Sequence, residues 1–120
     1  MARILICDDS MFMRMLLGKL LKEAGYEIVA EAGDGNQAVQ LYQQYKPDLV
    51  TMDITMSHLD GIGAAKKIHE IDPSARVVMV TAIGQKQVIE DANQAGASGF
   101  IIKPFAPQEV LRVVKSALED

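Results

Sequence analysis

Residues 49–81 read LVTMDITMSHLDGIGAAKKIHEIDPSARVVMVT, and this stretch decides the fold. It begins with the largely apolar run Leu49–Met52 and ends with a second run, Val77–Val80. Such short continuous runs are typical of strands that are buried on both faces. Between them, apolar residues recur three and four positions apart, as in an amphipathic helix, until Asp72-Pro73 ends the pattern. The stretch therefore predicts a strand, a helix and a second strand.

The same alternation extends outward in both directions. Further strand-like runs lie at Ile4–Cys7, Ile28–Ala30 and Phe100–Ile102, and helical spacings separate or follow them. Gly25 and Gly96 stand where two of the helices should end. Five βα units in strict alternation predict an α/β fold, a doubly wound five-stranded parallel sheet with helices on both faces. At this size we expect the flavodoxin-like strand order 2-1-3-4-5.

Composition restricts the class of protein. A chain of 120 residues fits a single domain, and 49% apolar residues provide a core without disulfides. The net charge of -4 argues against a nucleic-acid partner, because phosphate binding requires a basic surface. The first apolar run is too short for a signal peptide or a membrane span. We therefore expect one cytoplasmic, monomeric domain over residues 1–120, with no membrane insertion and no output domain.

Residues that can bind a cation or an anion follow the predicted strands. Asp8 and Asp9 follow the first strand, Asp53 the third, Thr81 the fourth and Lys103 the fifth. In an open parallel sheet, ligands bind at the carboxyl ends of the strands, near the switch point between strands 1 and 3. Three carboxylates in one crevice repel one another and call for a cation, and oxygen ligands suit Mg²⁺. The sequence therefore predicts a magnesium site with a lysine nearby.

The motifs at the strand ends occur together in a known family. They are Asp8-Asp9, Met52–Met56, Gly61, Thr81-Ala82 and Lys103-Pro104-Phe105. In this combination they resemble the response-regulator receiver family, and the resemblance covers essentially the whole chain. It implies a phosphorylation-dependent signalling switch of a two-component system, not an enzyme, with only weak self-phosphorylation and self-dephosphorylation.

The resemblance also implies which residues carry the chemistry. Asp53 would be the phosphoacceptor, and Mg²⁺ would be the cofactor. The metal ligands would be Asp8, Asp9, Asp53 and the backbone carbonyl of Thr55. The phosphoryl group would come from a histidine kinase or a phosphotransfer domain, or from a small acyl phosphate.

Three further positions match the family. Thr81 and Lys103 would contact the phosphoryl oxygens, and the bond between Lys103 and Pro104 would be cis. Phe100 occupies the position of an aromatic switch that would act with Thr81. An ordinary core residue in the fifth strand is an equally good interpretation of Phe100.

The run Ser10–Arg14 and the expected lack of an output domain look most like stand-alone chemotaxis regulators. That resemblance implies a flagellar switch protein as the target and an auxiliary phosphatase as a further partner. A phosphorelay intermediate, or a regulator that is not linked to chemotaxis, is the alternative. A haloacid-type phosphatase or a flavin-binding electron carrier fits less well. The first needs a D-x-D motif after strand 1, and the second needs a phosphate loop where this chain has Asp8-Asp9.

Three positions depart from the usual family pattern, and one of them is Phe100, which lacks the hydroxyl group of a tyrosine. Ser57 replaces a proline, which predicts a looser loop after the third strand. Ile83, two residues after Thr81, is apolar where many relatives have a polar residue. We expect Ile83 to hinder the approach of water to phosphorylated Asp53, so that dephosphorylation depends on the auxiliary phosphatase.

The first helix carries a candidate docking face. Met11 and Met15 lie one turn apart, next to Asp9 and nearly opposite the apolar stripe. Flexible thioethers suit a surface that serves several partners. We predict that the two methionines form the centre of this docking face, with Arg14 at its rim; two ordinary surface methionines are the alternative. The predicted buried stripe comprises Met13, Leu16, Leu17, Leu20, Leu21 and Ala24.

Overall fold

The computed structural model describes residues 1–56, 58–82 and 84–119, so that Ser57 and Ile83 lie outside the described residues. In the described part, five strands and five helices alternate along the chain. The strands are β1 (Arg3–Cys7), β2 (Glu27–Ala32), β3 (Leu49–Asp53), β4 (Val77–Thr81) and β5 (Gly99–Ile102). The helices are α1 (Met11–Glu23), α2 (Gly35–Tyr45), α3 (Gly61–Ile71), α4 (Lys86–Gln94) and α5 (Pro107–Glu119).

The sheet is parallel and has the order β2-β1-β3-β4-β5, which confirms the predicted topology. Helices cover both faces, and each face has its own apolar core. The core on one face includes residues of α2, α3 and α4, and the core on the other includes residues of α1 and α5. Because β1 and β3 are neighbours at the centre of the sheet, the loops that follow them open into the same crevice.

The outer strand β2 is less buried than its apolar run predicted. Its first five residues are exposed or half-buried, and only Ala32 at its end is fully buried. In contrast, every residue of β3 and β4 is buried. The difference follows from position, since β2 is an edge strand with a neighbour on one side only, whereas β3 and β4 lie inside the sheet.

Two helices begin directly at the edge of the crevice. Ser10 caps α1, and its hydroxyl oxygen accepts a hydrogen bond from the backbone N–H of Met13 at 3.2 Å. Asp60 caps α3 in the same way and accepts a bond from the N–H of Gly63 at 2.8 Å. Both helix N-termini therefore flank the ends of β1 and β3. In the described part of the chain, no helix is long and apolar enough to cross a membrane.

The buried stripe of α1 is narrower than predicted. Leu17 and Leu21 are buried, but Leu16 and Ala24 are exposed. The helix approaches the sheet through Gly18, where an added Cβ would lie 3.8 Å from Ile6. A glycine carries no hydrophobic signal, so the sequence pattern did not indicate that the contact centres there. The buried side of α1 therefore consists of Leu17, Gly18 and Leu21, and Leu16 lies outside it.

Candidate functional site

The three aspartates that were predicted to cluster lie together at the carboxyl end of the sheet. Cys7 of β1 is in register with Met52 of β3, so Asp8 and Asp53, the next residues, are neighbours across the two strands. Both are buried, whereas Asp9 is exposed. One carboxylate oxygen from each of the three lies within 4.8 Å of the others.

Lys103 brings a positive charge to this cluster. Its Nζ lies 2.9 Å from Oδ2 of Asp8 and 3.8 Å from Oδ2 of Asp53. The backbone N–H of Lys103 donates to the carbonyl oxygen of Thr81 at 2.7 Å, which anchors the residue beside the end of β4. The bond between Lys103 and Pro104 is cis, as the resemblance implied. The ammonium therefore bridges the two buried carboxylates and lies closer to Asp8.

Hydrogen bonds hold both the side chain and the backbone of Asp8 in place. Its Oδ1 accepts a bond from the N–H of Ser10 at 2.9 Å, and Oδ2 accepts the bond from Lys103. Its own N–H donates to the carbonyl oxygen of Ala32 at 3.0 Å. Its carbonyl oxygen accepts a bond from Nη1 of Arg14 at 2.6 Å. The contacts from Ser10 and Arg14 depend on the turn after β1, and the sequence pattern had not indicated them.

Burial raises the pKa of Asp53 to about 6, and the nearby charge of Asp8 acts in the same direction. The positive charge of Lys103 opposes this rise in pKa, while Asp9 adds to it. The backbone N–H of Thr55 donates to the Asp53 carboxylate and lowers the pKa slightly. Burial and the repulsion from Asp8 and Asp9 together outweigh the attraction of Lys103. In the metal-free crevice, the ionised form of Asp53 is therefore less favourable than it would be in water.

The other predicted residues border this crevice. Thr81 is buried at the end of β4, in register with Ile102 of β5. Phe100 is half-buried in β5 and packs against the core that α2, α3 and α4 cover. Thr55 is exposed two residues after the end of β3, and its backbone N–H donates to the Asp53 carboxylate. The strand order thus gathers Thr81 and Lys103 on the β4–β5 side of the aspartates.

The donor set suits a hard divalent cation. Asp8, Asp9 and Asp53 supply carboxylate oxygens, which Mg²⁺ and Ca²⁺ prefer to nitrogen and sulfur ligands. One carboxylate oxygen from each aspartate lies within 4.8 Å of the others, so the cluster could hold such an ion.

Known proteins match this chain over nearly its full length. Residues 4–115 match the response regulator receiver domain. The chain belongs to this family. It is 52% identical over 116 residues to the chemotaxis protein CheY of Bacillus subtilis, covering 97% of both chains. It is 47% identical over 112 residues to CheY of Thermotoga maritima, covering 93% of both.

A solved structure supports the same assignment. The chain resembles one in the CheX-CheY-BeF3-Mg complex of Borrelia burgdorferi, with a TM-score of 0.93 and 39% sequence identity. The match covers 96% of this chain and 87% of that one. The resemblance inferred from the motifs is therefore confirmed. The chain is a CheY-like receiver domain of a two-component response regulator, and its fold is the receiver fold.

The outer surface of α1 exposes several apolar side chains beside the crevice. Met11 and Met15 are 66% and 64% exposed, and Phe12 between them is 71% exposed. Leu16 extends this apolar patch along the helix. Phe12 lies opposite the buried stripe, so the helical periodicity of the sequence could have predicted that it is exposed. Arg14, expected at the rim, instead turns its side chain toward the strand ends and is only 18% exposed.

Mg²⁺ is expected to raise the melting temperature of this receiver domain by a few degrees, because it binds the folded state and offsets the repulsion between carboxylates. Asp9→Ala should abolish this shift. Without metal, the same variant should be more stable than the wild type by less than about 1 kcal/mol, since Asp9 is an exposed charge. Thermal melts with EDTA and with millimolar Mg²⁺ measure both effects, and Asp91→Ala on α4 is the control. Identical wild-type melts under the two conditions would contradict the prediction.

Proposed function

We propose that this chain is a phosphorylation-dependent switch in which Asp53 accepts a phosphoryl group and the modified domain then binds a separate target. The observation that carries the proposal is the position of Asp53. Its carboxylate ends a central strand, is buried beside two further carboxylates, and lies 3.8 Å from the ammonium of Lys103. A buried carboxylate with a raised pKa, next to a cation site and a lysine, is suited to nucleophilic phosphoryl transfer.

The chemistry at Asp53 is an in-line displacement. A carboxylate oxygen attacks the phosphorus of a phosphohistidine, and a new P–O bond forms while the P–N bond breaks. The histidine nitrogen keeps the electron pair of that bond, and Asp53 becomes an acyl phosphate. Attack by water on phosphorus later breaks the P–O bond, releases phosphate and returns the carboxylate.

Charge neutralisation is the main contribution of the surrounding residues. Asp8, Asp9, Asp53 and the carbonyl of Thr55 would hold Mg²⁺, which when bound neutralises the phosphoryl oxygens. The Nζ of Lys103 lies within 4 Å of the carboxylates of Asp8 and Asp53. From this position it would also bind an oxygen of the incoming phosphoryl group.

The conformational response would begin at the end of β4. Thr81 would donate its hydroxyl to a phosphoryl oxygen and so move toward Asp53. Phe100 is half-buried on the neighbouring strand, and it would then rotate further into the space that Thr81 leaves. A Phe100 that keeps one rotamer in both states would instead be an ordinary core residue of β5.

The names of the relatives support a proposal for the partners. Several similar proteins are named chemotaxis protein CheY, and one similar structure is a complex of CheY with CheX. We infer that a histidine kinase or its phosphotransfer domain donates the phosphoryl group and that the flagellar motor switch is the target. An auxiliary phosphatase would be needed if Ile83 hinders water as its sequence position suggests.

Phosphorylation by a small donor tests the assignment of Asp53. Acetyl phosphate with Mg²⁺ should add one acid-stable, base-labile phosphoryl group to the wild type and none to Asp53→Asn, as read by intact-protein mass spectrometry. Asp91→Asn, the same change on α4, should be modified like the wild type. Modification of Asp53→Asn would show that another residue is the nucleophile.

A binding experiment separates the two signalling roles. Wild-type protein activated with beryllofluoride and Mg²⁺ should retain a flagellar switch protein, and the unactivated protein should not. If the phosphorylated domain instead passes its phosphoryl group to a second phosphotransfer domain and retains no switch protein, it is a relay intermediate.

Met15→Lys is expected to slow phosphotransfer from a histidine kinase by about tenfold, because it places a charge in the apolar patch where the donor would dock. Modification by acetyl phosphate should be unchanged, since this small donor needs no docking surface. Gln40→Lys adds the same charge to the exposed side of α2 and serves as the control. If both reactions of Met15→Lys fall together, the variant has damaged the site and the docking face loses its support.

A further inference from the structure

Arg14 lies on α1 and joins three parts of the chain. Its Nη1 donates to the carbonyl oxygen of Asp8 at 2.6 Å, and its Nε donates to Oε1 of Glu31 at 3.1 Å. The first is a short, charge-assisted bond to the backbone at the end of β1. The second ties the same guanidinium to β2. With a side chain only 18% exposed, Arg14 is held between α1 and the ends of these two strands.

The carbonyl of Asp8 needs a donor because of the way the chain leaves β1. Successive residues of a strand point to opposite faces, yet Asp8 and Asp9 offer carboxylate oxygens to the same cluster. The peptide between them must therefore depart from strand geometry, and the pairing of β1 with β3 ends at Cys7. A carbonyl that leaves the ladder without a new donor lowers stability. Arg14 supplies that donor.

We propose that Arg14 is a positioning residue that holds the Asp8–Asp9 peptide in the orientation in which both carboxylates face the cation site. The Arg14 bond fixes the carbonyl of this peptide, and the N–H of Ser10 fixes the Asp8 carboxylate. Two of the three acidic groups are thereby oriented before a cation binds. The inference rests on the proposed function in one respect, namely that Mg²⁺ binds these carboxylates.

The sign of the effect separates positioning from simple electrostatics. Arg14 is a positive charge near an acidic crevice, so Coulomb repulsion alone predicts that its removal tightens Mg²⁺ binding. Positioning predicts the opposite, because a freely turning peptide must be ordered when the ion binds. Outer residues that orient metal ligands commonly contribute tenfold to a hundredfold in affinity.

The experiment compares three variants by calorimetric titration with Mg²⁺ and by NMR of the metal-free protein. Arg14→Met should weaken Mg²⁺ binding about tenfold or more. In the metal-free state it should also shift the carbonyl carbon signal of Asp8 and the amide signal of Asp9. Arg14→Lys, which keeps a charge and one possible donor, should restore part of the affinity. Glu31→Gln removes the negative charge at the other contact of Arg14 and should stay near wild type.

The outcomes distinguish this inference from the proposed function. Equal or tighter Mg²⁺ binding by folded Arg14→Met would overturn the positioning role, and so would an equal loss of affinity in Glu31→Gln. If the wild type itself bound no Mg²⁺, the proposed metal site would fail. The NMR signals of Asp8 and Asp9 would then decide the role of Arg14, and unchanged signals in the variant would overturn it. Arg14→Gln carries the same comparisons if Arg14→Met does not fold.

Discussion

In EDTA at about pH 8, Asp53→Asn is expected to raise the free energy of unfolding by up to about 3 kcal/mol. The folded protein raises the pKa of Asp53 from 3.8 to about 6, chiefly because the carboxyl group is buried. Each pKa unit corresponds to about 1.4 kcal/mol. The rise from 3.8 to about 6 therefore means that the ionised carboxylate destabilises the metal-free fold by up to about 3 kcal/mol. Asparagine keeps the shape of the side chain and removes the charge.

The stabilisation by Asp53→Asn should increase as the pH rises. The folded state binds the Asp53 proton more tightly than the unfolded state, so the wild type gains stability as the pH falls through about 6. The gain is nearly complete by pH 3.8, where the unfolded chain also becomes protonated. The advantage of Asp53→Asn should therefore be largest at high pH and should disappear toward pH 3.8.

Urea denaturation at several pH values measures this difference. Asp91→Asn is the matched control, since it removes one negative charge from α4 and leaves the crevice intact. Saturating Mg²⁺ should remove most of the advantage, because the wild-type carboxylate then has a cation partner and the variant lacks one ligand. A difference between variant and wild type that stays constant with pH would show that the ionised Asp53 carboxylate is not its source.

The fold and the acidic cluster were predictable because both depend on position along the chain. Strand ends in a parallel sheet meet at one edge, so placing Asp8 after β1 and Asp53 after β3 fixes them as neighbours. Helix ends were marked by residues with strong local preferences. Gly25 and Gly96 follow α1 and α4 with φ values of +97° and +92°, a region that glycine adopts without strain.

Contacts that depend on turns and side-chain reach were not predictable in this way. Lys103 was expected near Asp53, but its ammonium lies closer to Asp8, at 2.9 Å against 3.8 Å from Asp53. Arg14 has the sequence position of a surface residue, and only the turn after β1 explains why it points inward. Such contacts require the backbone path, which hydrophobic spacing does not determine.

The repulsion in the crevice also bears on switching. A carboxylate whose ionised form is destabilised by its surroundings gains more stability from a bound cation or phosphoryl group than a neutral group would. The folded core below it supplies the stability that the crevice lacks, since every residue of β3 and β4 is buried. We therefore expect charge changes at Asp53, which ends a fully buried strand, to act on the neighbouring loops without unfolding the domain.

Gly61→Ala is expected to lower the free energy of unfolding by about 3 kcal/mol or more and to abolish phosphorylation of Asp53. Gly61 is the first residue of α3, and its N–H donates to the carbonyl oxygen of Ile54 at 2.8 Å. A Cβ at this position would overlap the carbonyl oxygen of Asp53 and would lie 2.8 Å from Cα of Ile54. These atoms are backbone and cannot rotate away, so either α3 or the end of β3 must move.

The movement would displace Asp53, the proposed phosphoacceptor, which is why stability and phosphorylation should fall together. Gly18→Ala is the matched control, because its Cβ would lie 3.8 Å from Ile6, an ordinary contact. Alanine also favours a helix interior over glycine by about 1 kcal/mol, so Gly18→Ala should leave stability unchanged or raise it. Urea denaturation and acetyl phosphate labelling measure both variants. A Gly61→Ala protein as stable as the wild type, and phosphorylated at the same rate, would show that α3 can withdraw from Asp53 without disturbing the site.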